Sequence, residues 1–207
     1  MTRIGYCTIT RVCIRNISLL TLYLLLTSIP LTTFAQPPDT LWSQSYGNGT
    51  AESVETVRPV PDGGFILTGT TNEGPGNNAV WIMRTDENGE EIWSLLESAG
   101  WSDESSYIEP TSDGGFIQCG ATGQYLGYPE WSANVRKIDA NGTIEWHRQL
   151  DDVLALDYMT CVREIPGDGY IAFGLVDWLL CLWRIGPQGD DRWISYIPSE
   201  SAFERAF

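Results

Sequence analysis

The side chains that could do chemistry fall into few types. His147 is the single histidine of the chain. A Ser-His-Asp relay needs a serine within reach of the imidazole, and no Gly-x-Ser-x-Gly turn is present to supply one. His147 therefore reads as a half-exposed strand residue beside Trp146. Carboxylates number 27, with adjacent pairs at Asp151-Asp152 and Asp190-Asp191. Glycoside hydrolysis needs two carboxyl groups about 5–9.5 Å apart across a cleft, but in so acidic a chain such neighbours arise by chance. An acidic residue recurs at Glu52, Asp103 and Asp157. Calcium takes roughly six to eight oxygens, whereas one carboxylate at a turn more simply accepts backbone N–H bonds. Asp86-Glu87-Asn88-Gly89 is too short for a calcium loop and lacks the distal bidentate Glu. Zinc sites draw on several His or Cys. Cys119, Cys161 and Cys181 suit buried small hydrophobes, and no pairing among them is assigned. The reading is of a protein without catalytic apparatus, cofactor or metal.

Two sets of aromatic residues remain. Trp42, Trp93, Trp146 and Trp193 recur at a period of about 50 residues, and recurrence at one position argues for a packing role. Trp101, Tyr125, Tyr128 and Trp131 do not recur. They stand near Gly123, Gly127 and Pro129 in stretches expected to be loops, with Asp103, Glu104 and Glu130 as acidic neighbours. Unrepeated aromatics on loops of a rigid scaffold are candidates to stack on a glycan or anchor a peptide.

The elements that must position these residues announce themselves by repetition. Pro61-Asp62-Gly63-Gly64-Phe65-Ile66-Leu67-Thr68-Gly69 returns as Ser112-Asp113-Gly114-Gly115-Phe116-Ile117-Gln118-Cys119-Gly120. It returns again as Pro166-Gly167-Asp168-Gly169-Tyr170-Ile171-Ala172-Phe173-Gly174. A second element follows each copy, Arg84-Thr85-Asp86-Glu87-Asn88-Gly89, Lys137-Ile138-Asp139-Ala140-Asn141-Gly142 and Arg184-Ile185-Gly186-Pro187-Gln188-Gly189, with a Trp four residues past its Gly. Both elements are turn chemistry between β-prone runs, with glycine (Gly64, Gly115, Gly169, then Gly89, Gly142, Gly189) where a tight turn needs it. Each unit reads as four short antiparallel strands, the last carrying the Trp. The apolar run Val80-Trp81-Ile82-Met83 suits a strand covered on both faces. The expected fold is all-β, a β-propeller-like array of about three four-stranded blades plus a partial fourth. The units fall at 41–91, 92–144 and 145–191 with a start at 192–207. A closed propeller has about four to eight blades, so the chain reads as a fragment of a larger one; the alternative is an open array of stacked units, whose apolar end faces would be open to self-association.

Ahead of these units, Arg3, Arg11 and Arg15 precede an apolar stretch from Ile17 to Leu31, and Thr33-Phe34-Ala35 offers small residues for cleavage. Residues 1–35 read as a signal peptide and 36–207 as the exported repeat region, secreted, periplasmic or on the cell surface, without an integral span after cleavage. That region holds nine basic against 27 acidic residues, which disfavours nucleic acid and anionic membranes as partners.

The pattern Trp…Tyr-Gly…Asp-Gly-Gly-Phe-Ile…Gly-Thr-Thr…Trp-Ile-Met-Arg-Thr-Asp-x-Asn-Gly…Trp, from Trp42 to Trp93, resembles the Asp-Gly-Gly repeats of secreted bacterial β-propeller proteins. The likeness covers nearly all of Leu41 to Trp193, least well in the third unit, where Gly167-Asp168-Gly169 replaces the turn. The Gly-x-x-x-Trp spacing is also similar to the structural Trp-docking element of pyrroloquinoline-quinone dehydrogenase repeats, although no quinone-binding residue set is present. The resemblance implies the fold and no activity, and the functional reading is of a non-enzymatic extracellular binding module or scaffold. The alternative is a truncated propeller enzyme, a glycoside hydrolase or quinoprotein, with its catalytic residues in blades not seen.

Overall fold

The computed structural model describes residues 40–47, 52–72, 78–98, 102–125, 129–150 and 157–197. The expected signal peptide, Trp101, Tyr128 and the Asp151-Asp152 pair lie outside them. The chain divides into two units, Met1–Leu41 and Trp42–Phe207, and the strands all belong to the second. There are twelve, with no helix among the described residues. They are β1 (Glu52–Pro59), β2 (Phe65–Asn72), β3 (Asn78–Thr85), β4 (Glu91–Glu97), β5 (Ser102–Pro110), β6 (Phe116–Tyr125), β7 (Pro129–Ile138), β8 (Ile144–Leu150), β9 (Tyr158–Ile165), β10 (Gly169–Val176), β11 (Leu179–Ile185) and β12 (Asp191–Ile197).

These form three antiparallel meanders of four strands. The first two, β1–β4 and β5–β8, count as one eight-stranded sheet because a single parallel bridge joins Asn78 of β3 to Ser102 of β5; β9–β12 is a separate sheet. Each meander ends with the Trp strand, since the short turn before it pairs that strand with the third. Residues 191–197 thus complete the third sheet rather than starting another. The turn of the third unit, although rearranged, holds the same register, with Glu164 opposite Tyr170 where Pro59 and Pro110 face Phe65 and Phe116.

The closing glycine of each nine-residue motif has a physical cause. The first strand of every sheet carries a bulge at the same place, opposite Gly69, Gly120 and Gly174. A bulge kinks the strand toward its partner. A Cβ on these glycines would collide with the carbonyl oxygens of Ser53, Glu104 and Tyr158.

The sheets pack face against face. Ile66, Val80 and Ile82 of the first cluster with Ile108, Phe116 and Ile138 of the second. Ile117, Cys119, Ala133 and Val135 of the second meet Met159, Val162, Ala172, Cys181 and Trp183 of the third. The middle sheet is therefore covered on both sides, as its near-continuous burial requires. The first seam also holds a buried polar chain. Thr68 and Ser105 hydroxyls lie 2.6 Å apart, Gln118 Nε2 donates to Ser105 Oγ at 3.0 Å, and Arg136 Nη1 donates to Gln118 Oε1 and Asn134 Oδ1 at 3.1 and 3.0 Å. Directional bonds of this kind fix the register of one sheet on the other.

Gly120→Ala is expected to destabilise the protein by about 2–3 kcal/mol, because the new methyl group meets main chain that cannot rotate away. Thermal unfolding of the variant checks this, and an unchanged midpoint would mean that the bulge yields.

Candidate functional site

The repeated tryptophans lie in one geometry. Trp93 donates its indole N–H to the Ala140 carbonyl at 3.1 Å, and its ring meets Phe116 edge-on, centroids 5.8 Å apart. Trp146 does the same with the Pro187 carbonyl at 3.3 Å and Tyr170 at 5.6 Å. Trp42 seats against Phe65 at 5.9 Å, with Tyr46 Oη donating to the Gly89 carbonyl at 2.6 Å. Each ring covers a turn glycine of the following unit. At Gly142, where φ is +86°, a Cβ would stand 2.9 Å from the Trp93 ring, and Gly89 and Gly189 lie likewise beneath Trp42 and Trp146. Trp193 is 47% exposed. Gly64, Gly115 and Gly169 bring the first turn onto the carbonyl ends of β3, β7 and β11.

An interaction less visible in the sequence holds those first turns. The cation that ends each third strand folds back onto the turn carboxylate: Arg84 Nη2 to Asp62 at 2.8 Å, Lys137 Nζ to Asp113 at 3.0 Å, Arg184 Nη2 to Asp168 at 2.6 Å. The three cationic side chains are buried. In the third unit the aspartate sits one residue later in the turn and still reaches its arginine. The second turns are closed by carboxylates too. Asp86 Oδ1 accepts the Asn88 and Glu90 N–H groups, both at 2.8 Å. Asp139 Oδ1 accepts those of Asn141 and Thr143 at 2.9 and 2.7 Å. The N–H of Glu90 and that of Thr143 are the first cause of the lowered pKa of each.

At the opposite ends of the strands lies the aromatic face. Trp131 is not in a loop. The β6–β7 ladder continues through Gly123↔Trp131 to Tyr125↔Pro129, so the connecting loop shrinks to 126–128. A bare Gly123 lets the half-buried Trp131 ring lie across it, 3.3 Å from where a Cβ would be. Trp131, Glu104, Ala121, Asp157 and Tyr158 line a hollow of about 190 Å³. Of the four aromatics expected to share a site, Trp131 alone has a described side chain, and Tyr158 joins it from the third sheet.

Asp157 organises this face. Its N–H donates to the Trp131 carbonyl at 3.0 Å, and its Oδ1 accepts the Asp177 N–H at 2.9 Å. That second bond pins the two-residue turn between β10 and β11, where Asp177 and Trp178 have φ of +53° and +65°. Trp178 is 70% exposed. A bulky side chain at positive φ is strained, and such strain concentrates at functional sites. The repeated acidic position is thus split in use: Asp103 and Asp157 are fully buried, while Glu52 is exposed beside a polar cleft of about 570 Å³ that also takes in Glu55 and Glu104. Tyr158 and Trp178 escape a reading by repeats because each stands beside a strand end that varies between units. The available signal is Asp-Trp spanning a two-residue hairpin that normally takes Asn-Gly.

His147 is half-buried on β8, opposite Arg136 in register. Cys119 and Cys181 are buried, and Cys161 partly so. Burial raises the thiol pKa of Cys119 and Cys181, with Cys161 and Glu109 adding to it at the first and Asp157 at the second. Both are thus poor nucleophiles.

No family model matches the chain, and no curated protein does. Among solved structures it is similar to a protein of unknown function from Bacteroides caccae, with a TM-score of 0.50 at 11% identity, over 77% of this chain and 50% of that one. At that identity the likeness is one of fold, and the match spans half the length of its relative.

Burial pushes the Asp113 carboxyl up, but bonds from the Thr111 hydroxyl, the Gly115 N–H and Lys137 outweigh it and hold the pKa at about 2. An unfolded aspartate titrates near ~3.9. The stabilisation is therefore complete above about pH 4 and is lost as pH falls toward about 2. Asp113→Asn is expected to flatten that part of the stability–pH curve, which denaturant melts between those pH values would measure.

Proposed function

We propose that the chain is an exported β-propeller repeat segment that serves as a non-enzymatic extracellular binding module, with Trp131, Tyr158 and Trp178 on its binding face. The observation that carries the reading is the Trp seat made three times over, each tryptophan on the next unit's glycine and aromatic. Four-stranded antiparallel meanders that pack face to face through one recurring contact are the way propeller blades pack. On this reading the exposed Trp193 and Ile197 of β12 form the apolar face on which a further sheet of the same kind, or a second copy, would seat.

The binding role rests on aromatics the packing does not require. Counted back from the third-strand cation, Trp131 stands where the first unit has Asn78 and the third has Trp178, so the packing does not require an aromatic at that position. Trp178 occupies a backbone conformation that glycine would fill without strain. The Glu104 carboxylate adds acceptors, which suits a neutral glycan or a basic peptide more than an anionic ligand.

Glycan and peptide arrays probed with the protein and two variants test this. Trp131→Ala is expected to weaken binding about tenfold or more, the usual cost of losing an aromatic anchor. Trp178→Gly is expected to weaken binding while raising stability by about 1 kcal/mol, by relief of the left-handed conformation. Arrays without signal, or variants that bind as before, would remove this face as the site.

A further inference from the structure

The seam between the second and third sheets carries another pocket, beside the Asp-Gly-Gly turns and lined by none of the residues around Trp131. It has a volume of about 520 Å³, and Asp113, Lys137, Glu145, Trp146, Glu164 and Tyr170 line it. The repeats supply an internal control. By strand register, Glu145, Glu164 and Tyr170 stand where the seam between the first two sheets has Ile92, Pro110 and Phe116. The Trp seat is made equally well in both seams, with centroids 5.8 and 5.6 Å apart and interplanar angles of 66° and 60°. The ring contact thus needs only the rings; of the three polar replacements, Glu145 meets Lys137 and Glu164 meets Ser112 across the seam, and the Tyr170 hydroxyl is left to the pocket.

The Tyr170 hydroxyl is the telling one. Tyr170 is 4% exposed and lines the pocket, and its hydroxyl donates to none of the described residues. The oxygen is not sealed inside the seam, so it opens onto the pocket with its proton available to a ligand. Lys137 is not the partner a ligand would find. Its three protons are taken by Asp113 Oδ2 at 3.0 Å, Glu145 Oε2 at 3.2 Å and the Ile138 carbonyl at 3.1 Å. The Glu164 oxygens accept the Ser112 hydroxyl and N–H at 2.6 and 2.7 Å, which orients the carboxylate and leaves lone pairs over. The pocket therefore offers carboxylate acceptors next to one unused donor, with the Gln188 amide able to act as either.

A ligand that meets both needs must donate and accept from the same atoms, which is what a hydroxyl does. An ammonium only donates and would leave the Tyr170 proton unused. A phosphate or carboxylate only accepts and would face the carboxylate wall. We propose that this pocket binds a neutral sugar, whose hydroxyls donate to Glu145 and Glu164 while one accepts from Tyr170. The half-buried Trp146 supplies an apolar edge beside them. Burial, with Asp113, Glu164 and Glu145 close by, raises the Tyr170 pKa, so the hydroxyl keeps the proton it has to give.

Isothermal titration of the protein with neutral cello-, xylo-, manno- and malto-oligosaccharides, each taken to about 10 mM, tests the inference. At least one series should bind. Tyr170→Phe should weaken that binding about fivefold, the worth of one neutral hydrogen bond, without lowering the melting temperature, because it restores the ring found in the first two sheets. The titrations are repeated in the Trp131→Ala background, where the other face does not contribute, and the dependence on Tyr170 should persist there. No heat with any sugar, affinity unaltered in Tyr170→Phe, or tighter binding of an oligolysine peptide than of any sugar would each overturn it.

Discussion

An indole lying on a glycine sets the spacing of this molecule. Trp93 can reach the turn carbonyl of Ala140 only because Gly142 presents no Cβ to its ring. The same turn needs positive φ at that glycine, so one residue satisfies both the hairpin and the contact. The hairpin register then follows and brings Phe116, the residue after the preceding glycine pair, under the edge of the indole. Sheet follows sheet through this contact, and the apolar clusters between them fill what it leaves open. That Gln188 can replace Asn at the third copy while Gly189 stays shows which part of the turn the contact constrains.

The second constraint is electrostatic. A cation buried at the end of each third strand would be costly alone. It is neutralised by the aspartate of the first turn and satisfied by main-chain carbonyls. Arg184 Nη1 donates to those of Tyr170 and Ile185, both at 2.7 Å, and Arg84 Nη2 to that of Gly63 at 2.6 Å. Lysine at the middle position makes fewer such bonds than arginine can, and Glu145 joins Asp113 beside it. The turn, the strand end and the charge pair are thus one device, used three times with small changes.

Much of the fold is legible in the sequence because both turns use glycine for steric reasons that no other residue meets. The strands between them follow from β-prone runs. What is not legible depends on contacts across sheets. The closing glycines read as punctuation until the bulge opposite each is seen. Trp131 reads as a loop residue because the Gly and Pro around it suggest a break, whereas the ladder runs on and Gly123 serves as its resting place. Tyr158 and Trp178 belong to the same face only through Asp157, whose two bonds join segments distant in sequence. Tyr170 fills the aromatic position of the third copy, and only the folded seam shows that it lines a pocket.

The central claim is that the tryptophan seat couples one unit to the next through its glycine. A double-mutant cycle on Trp146 and Gly189, read by denaturant unfolding, tests it most directly. In the parent protein Gly189→Ala should be costly, because the Cβ would stand 2.8 Å from the indole. With Trp146 already replaced by Ala, the steric part of that cost should vanish and only the strain of positive φ remain. The predicted coupling is about 1 kcal/mol or more. Additive costs would mean that ring and glycine are neighbours without being partners, and would contradict the account.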